Sequence, residues 1–110
     1  LGRQYIDAGA DLVIGDHPHC LQGVEYYKGV PIFYSLGNFW FNSKTRETGL
    51  VEADVSGDGL LEFRFVPCLQ SGCRTTLITD PGKRQKSFQY LQSISANAVI
   101  DENGVIREKK

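Results

Sequence analysis

Between residues 50 and 65 the chain alternates apolar and polar side chains on both sides of a glycine turn, and this pattern limits the fold more than any other. Val51, Ala53 and Val55 alternate with Glu52, Asp54 and Ser56; Gly57-Asp58-Gly59 follows; then Leu61, Phe63 and Phe65 alternate with Glu62 and Arg64. Successive side chains of a strand point to opposite faces, so the segment predicts an antiparallel hairpin with one polar and one apolar face. The apolar face is built to cover a core, which must come from other elements.

Those elements are readable on either side. Residues 1–10 read as the last turns of a helix, with Tyr5 and Ile6 apolar and Gly9 placed to stop it. The chain therefore opens inside an element, with neither an initiator Met nor a signal-like segment, and is expected to be a piece of a longer protein. A short apolar strand, residues 12–14, follows directly, as in an alternating α/β pattern. Residues 23–27 and 31–36 are rich in β-branched and aromatic side chains and are joined by Lys28-Gly29, a second hairpin. Asp80-Pro81 reads as an N-cap followed by proline at the first helical position. Phe88, Leu91, Ile94 or Ser95, and Ala98 then follow at helical spacing. Residues 99–106 straddle Asp101-Glu102-Asn103-Gly104, a turn between two short extended pieces. With no repeat or linker, the expectation is one α/β domain: a sheet core over residues 1–79, then a terminal helix and tail over 80–110.

Composition narrows the class. The 110 residues are 41% hydrophobic and 23% charged with a net charge of −1, which excludes a disordered or fibrous chain. A chain this short buries roughly 60–70% of its unfolded surface, enough for one core. Twelve basic against thirteen acidic residues give no long-range field to gather nucleic acid, so no nucleic-acid partner is expected. Lys83, Arg84 and Lys86, like Lys109 and Lys110, read as solvated faces. Cys20, Cys68 and Cys73 form no metal-binding or redox spacing. Cys68 and Cys73 either pair across a turn in an oxidising compartment or, the favoured reading, stay separate as small core residues.

Chemistry concentrates in Gly15-Asp16-His17-Pro18-His19, which follows the first strand. Both histidines of the chain fall within three residues, at the kind of strand end where α/β sheets place their sites. In extended or turn backbone, residues i and i+2 can project to one side, so both rings can reach one metal centre or a metal pair. Pro18 removes conformational freedom from the loop. Asp16 reads as a third ligand, as the acceptor that orients a ring N–H, or as a solvated loop aspartate. A catalytic metal needs at least three protein ligands, and the remainder are expected from outside these residues. Glu25, Glu47, Glu52 and Asp54 are the other carboxylates weighed, the last two on the polar strand face.

Other chemistries find less support. No nucleophile elbow surrounds Ser35, which reads as the end of a strand. Gly37-Asn38-Phe39 lacks phosphate-loop spacing. Asn38 reads either as a turn residue or as a polar group offered to a site.

Three segments carry a family resemblance. Ile6-Asp7-Ala8-Gly9-Ala10-Asp11-Leu12-Val13-Ile14-Gly15, then Asp16-His17-Pro18-His19-Cys20-Leu21-Gln22-Gly23, then Pro31-Ile32-Phe33-Tyr34-Ser35-Leu36-Gly37-Asn38-Phe39 resemble the bacterial capsule and poly-γ-glutamate synthesis proteins, the CapA family. The likeness is close over residues 1–42, with G-x-H-P-H-x-x-Q and S-L-G-N-F in the right order; beyond that it is one of pattern. The family's fold is that of the calcineurin-like metallophosphatases, so the resemblance implies the C-terminal part of a four-layer α/β/β/α sandwich. His17 and His19 match the two histidines of the superfamily's last metal motif and inherit the metal-ligand role. Asp16 stands where relatives carry His or Ser; with Gln22 and Asn38 it is a candidate site-lining residue. No catalytic residue is assigned.

The resemblance also implies a context. The intact protein is expected to carry a divalent metal (Mn, Fe or Zn) at a phosphoesterase-like site that polarises a phosphoryl or acyl oxygen. The family's earlier motifs have no counterpart here, so the isolated chain is expected to be inactive and without metal. Implied partners are an anionic cell-surface polymer or its precursor and membrane synthase subunits. The implied location is outside the cytoplasm, attached to the membrane through a segment not among these residues. The exposed sheet edge invites a second copy of the chain. A different class of function is a non-catalytic scaffold or polymer-binding module whose histidines serve loop structure; a third is a stand-alone intracellular phosphoesterase.

Overall fold

The computed structural model describes residues 1–41, 44–59 and 61–109. Asn42, where the resemblance ends, and Lys110 of the terminal lysine pair lie outside them. Within these residues the fold is mixed α/β, with two sheets and two helices around one core.

The first sheet forms around the hairpin read at Lys28-Gly29. Strands β2 (Val24–Tyr27) and β3 (Val30–Phe33) pair antiparallel with Tyr27 opposite Val30. Lys28 and Gly29 take φ of 52° and 78°, the left-handed pair that a two-residue hairpin turn needs to match strand twist. Helix α1 (Gly2–Asp7) stops at Gly9, where φ is 113°, and feeds β1 (Val13–Ile14). β1 lies parallel to β3, Val13 opposite Ile32, giving the order β1-β3-β2.

The second sheet is larger than its sequence pattern indicates. β4 (Arg46–Val55) pairs over its whole length with β5 (Leu61–Ser71), with Val51 opposite Phe65, Ala53 opposite Phe63 and Val55 opposite Leu61. That register is the one the alternation predicts. The covering of its apolar face is only half realised: Phe63 and Phe65 are buried, whereas Ala53, Val55 and Leu61 are exposed. An eleven-residue strand runs roughly 35 Å at ~3.3 Å per residue, against molecular extents of 39 × 27 × 27 Å, so the hairpin outreaches the core. β5 continues past Pro67 and turns at Gly72-Cys73 into β6 (Arg74–Leu77). The register sets Cys68 opposite Leu77 while Cys73 sits in the turn, so the three cysteines are free, with Cys68 buried.

Helix α2 (Pro81–Ser93) begins as read: the Asp80 carboxylate accepts the Lys83 N–H at 2.9 Å and Pro81 opens the first turn. Its end is earlier than the spacing implies. The Ser95 hydroxyl donates to the Leu91 carbonyl and accepts the Val24 N–H, which closes the helix against β2. Ala98, expected on the helix, lies instead in β7 (Ala98–Ile100), which pairs with β8 (Val105–Glu108) beyond the turn at 101–104. β8 in turn pairs with β5, so the large sheet has the order β4-β5-β8-β7, with β6 also on β5.

Both sheets and α2 meet in one cluster. Phe33 of the small sheet packs edge-on against Phe63 of the large one, with ring centres 6.1 Å apart. Phe88 and Leu91 of α2, Phe65, Ala98, Ile100, Ile106, Leu21, Val24 and Tyr26 complete it. The parallel pair β1–β3 is thereby anchored, and its C-terminal end delivers the histidine loop.

Candidate metal-binding loop

The loop leaves β1 at Gly15, whose N–H donates to the Phe33 carbonyl at 2.7 Å. A Cβ there would sit 2.5 Å from the Tyr34 carbonyl oxygen, so only glycine lets the chain turn this close to β3. Asp16 spends its Oδ1 on the His17 N–H at 2.7 Å, a contact that shapes the turn. His17 and His19 then take φ of 98° and 62°. Left-handed backbone costs a side-chain-bearing residue about 1–3 kcal/mol and collects at functional sites. The strain has a geometric result: the two rings lie together on the surface, with centroids 5.7 Å apart and planes tilted by 47°.

This spacing fits a shared ion. With metal–nitrogen distances near 2.0–2.1 Å, two imidazoles on one tetrahedral centre have ring centroids roughly 5 Å apart. Two imidazole nitrogens suit Zn or Fe, whereas Mn would need oxygen ligands beside them, and among the described residues no group of three or more His, Cys, Asp or Glu side chains converges. Three of the four other carboxylates are engaged elsewhere: Glu25 by Arg3 and Tyr34, Glu47 by Ser87, Glu52 by Arg64.

A second loop, after β3, supports the first. Gln22 N–H donates to the Ser35 carbonyl, Leu21 bridges to Leu36, and the Thr48 hydroxyl donates to the Leu36 carbonyl at 2.6 Å. Ser35 is buried and its Oγ accepts the Gly37 N–H, which shapes the loop. This scaffold carries Asn38, itself buried, to the histidines, with its Oδ1 2.8 Å from Nδ1 of His19. Of the candidate lining residues, Asp16 and Asn38 therefore touch the loop. Gln22 lies along a groove of about 350 Å³ between β2 and α2, with Leu21, Glu25, Tyr34, Tyr90 and Ile94.

Sequence reasoning missed the neighbouring aromatics. Phe41 packs on the His19 ring with centroids 4.7 Å apart. Phe39, Trp40 and Phe41 are all exposed, Trp40 by 71%. Trp40 is nevertheless fixed, since its Nε1–H donates to the Cys73 carbonyl at 2.7 Å, while the Thr75 hydroxyl donates to the Phe39 carbonyl. The signal was present as three consecutive aromatics followed by polar residues, an arrangement that no strand or helix can bury whole.

Residues 1–43, which contain the histidine loop and Asn38, match the family described as bacterial capsule synthesis protein PGA_cap. The chain is 44% identical over 70 residues to the PGA biosynthesis protein CapA of Bacillus subtilis (strain 168), a match covering 61% of this chain and 18% of that protein. It is 41% identical over 103 residues to the capsule biosynthesis protein CapA of Bacillus anthracis, covering 90% of this chain and 25% of that protein. An uncharacterized protein of Sinorhizobium fredii, y4sH, is 51% identical over 55 residues, 50% of this chain and 12% of that one. The chain thus spans a quarter or less of the length of these curated relatives.

Proposed function

This chain belongs to the bacterial capsule synthesis protein family PGA_cap, and on that premise we propose that His17 and His19 hold part of a divalent metal centre of phosphoesterase type serving capsule or poly-γ-glutamate synthesis. The observation that carries this reading is the pair itself: two exposed imidazoles 5.7 Å apart on a backbone strained at both residues. A bound Mn, Fe or Zn ion supplies a Lewis acid for a phosphoryl or acyl oxygen. The chain's own contribution is to present two ring nitrogens on a rigid loop, with Asp16 shaping the turn. Remaining ligands come from residues beyond these 110, so the isolated chain is inactive. The fold reading that goes with it is one part of a four-layer α/β/β/α sandwich, supported by two sheets sharing a core through Phe33 and Phe63.

In this reading the protein works outside the cytoplasm on an anionic polymer or its precursor, beside membrane synthase subunits. No described helix is long and apolar enough to cross a membrane, and attachment is assigned to a segment outside this chain. Ser95 and Asn97 occupy the outer edge of β2 and Gln92 that of β7, so the edges a second copy would pair with are β1 of the small sheet and β4 of the large one, each paired on one side only among the described residues.

Calorimetric titration of the full-length protein with Zn²⁺ or Mn²⁺ tests the metal reading. Binding should weaken at least tenfold in both His17→Ala and His19→Ala. Binding that survives both substitutions unchanged overturns it.

A second reading, a polymer-binding module without catalysis, is favoured by one observation: the fixed, exposed row Phe39, Trp40 and Phe41. Flat aromatic surface held in place makes contact area at low entropic cost, and Arg74 stands next in sequence to the Cys73 carbonyl that holds Trp40. In this reading the histidines serve loop structure, and the two substitutions above leave polymer binding intact.

A further inference from the structure

We propose that Asn38 is the positioning residue of the loop: its carboxamide oxygen holds His19 in the Nδ1–H tautomer and leaves Nε2 as the nitrogen offered to a ligand. A neutral imidazole carries one donor and one acceptor nitrogen, and the hydrogen bond made by one decides the role of the other. A carboxamide oxygen only accepts. With Oδ1 of Asn38 2.8 Å from Nδ1 of His19, the proton sits on Nδ1 and the lone pair on Nε2. A ring oriented in this way through its second nitrogen is the arrangement that metal-ligating histidines use.

The support is built before any ligand arrives. Asn38 is buried although the ring it holds is exposed. Its loop is pinned on one side by the Thr48 hydroxyl on the Leu36 carbonyl and on the other by the Ser35 hydroxyl on the Gly37 N–H. Gly37 takes φ of 78°, which turns the chain so that Asn38 faces back toward His19. Phe41 closes on the ring as well, 4.7 Å between centroids. His19 is therefore gripped at the Nδ1 edge by Asn38 and packed by Phe41, with its other edge open. His17 rests against His19 and takes its direction from the strained turn. The carboxamide orientation matters: turned over, its NH₂ would donate to Nδ1, the proton would move to Nε2, and the ring would offer no lone pair outward.

What Nε2 binds rests on the metal reading above; which nitrogen carries the proton does not. Long-range ¹H–¹⁵N correlation spectra of the metal-free chain, recorded well above the histidine titration range, read the tautomer directly. His19 should show a protonated Nδ1 and a bare Nε2. Asn38→Ala should shift it toward the Nε2–H form, and Asn38→Asp, which keeps an oxygen acceptor, should restore Nδ1–H. A wild-type ring already in the Nε2–H form overturns the proposal without any variant being needed, and so does a tautomer that ignores Asn38→Ala. Zn²⁺ titration of the full-length protein, which carries the remaining ligands, and of the same two variants in it is the second arm, with affinity about 10–100-fold weaker in Asn38→Ala and regained in Asn38→Asp. If the tautomer responds as stated and Zn²⁺ binds none of the three full-length proteins, the metal reading falls while the positioning role of Asn38 stands.

Discussion

Asn97 meets Tyr26 with both ends of its carboxamide: Oδ1 accepts the Tyr26 N–H at 2.8 Å and Nδ2 donates to the Tyr26 carbonyl at 2.7 Å. One side chain thus replaces a strand partner on the outer edge of β2. Gln92 does the same for β7, donating to the Ala98 carbonyl and accepting the Ile100 N–H. Buried backbone groups left without partners cost about 1–3 kcal/mol each. Asn97→Ala should therefore destabilise the chain by about 2–4 kcal/mol in urea unfolding, with an unchanged slope. Asn97→Asp, which keeps the acceptor and loses the donor, should fall between.

Tyr26 gives an alkaline limit to stability. Burial first, and then the negative charge of Glu108, push its hydroxyl up to about 12, while the hydroxyl donates to the Ile106 carbonyl. The folded state thus holds this proton at pH values where the unfolded chain, with an ordinary tyrosine near 10, has released it. Stability from this group is complete below pH 10 and declines as pH rises from about 10 to 12, by about 2–3 kcal/mol in all. Tyr26→Phe should lose less stability than wild type across that window when chemical unfolding is compared at pH 9.5 and 11.5.

Most of the first 41 residues could be read in advance, because local chemistry decides them. Lys28-Gly29 marks its turn by residue type alone, as Asp80-Pro81 marks its cap farther along the chain. The misses lie where distant contacts override local pattern. Ala98 keeps the helical spacing from Leu91, yet Ser95 bonds to Leu91 and Val24 and ends the helix first. β6 was invisible, since Arg74-Thr75-Thr76-Leu77 acquires its meaning from pairing with residues 68–71 across the Gly72-Cys73 turn. At the site, the histidine pair stands out by clustering, whereas the contact of Asn38 with His19 spans nineteen positions and depends on how two loops meet.

Gly23 separates packing from conformation. A Cβ there would lie 1.9 Å from the Ile94 carbonyl oxygen, so Gly23→Ala must push the end of α2 off β2. The expected cost is about 3 kcal/mol, at the upper end of overpacking effects. Gly29→Ala is the control: its φ is 78° but nothing lies within 4 Å of the added atom, and left-handed backbone alone costs about 1–2 kcal/mol. Thermal unfolding should rank Gly23→Ala well below Gly29→Ala. The reverse order would mean that the contact between β2 and the end of α2 yields easily.

Trp40 decides between the two functional readings, since it is the only tryptophan in the chain and sits exposed in the aromatic row. Its indole is held by the Cys73 carbonyl, so its free emission should be that of a solvated yet immobile ring, red-shifted with high anisotropy. If the row is a polymer-binding face, added poly-γ-glutamate at low salt should shift the emission to the blue. Arg74→Ala should weaken that response several-fold, and about 1 M salt should suppress it, because a single exposed charge on a polyanion is screened within about 3 Å at that strength. Emission that stays unmoved at saturating polymer removes the observation favouring a binding module and leaves the histidine pair as the functional feature of the chain.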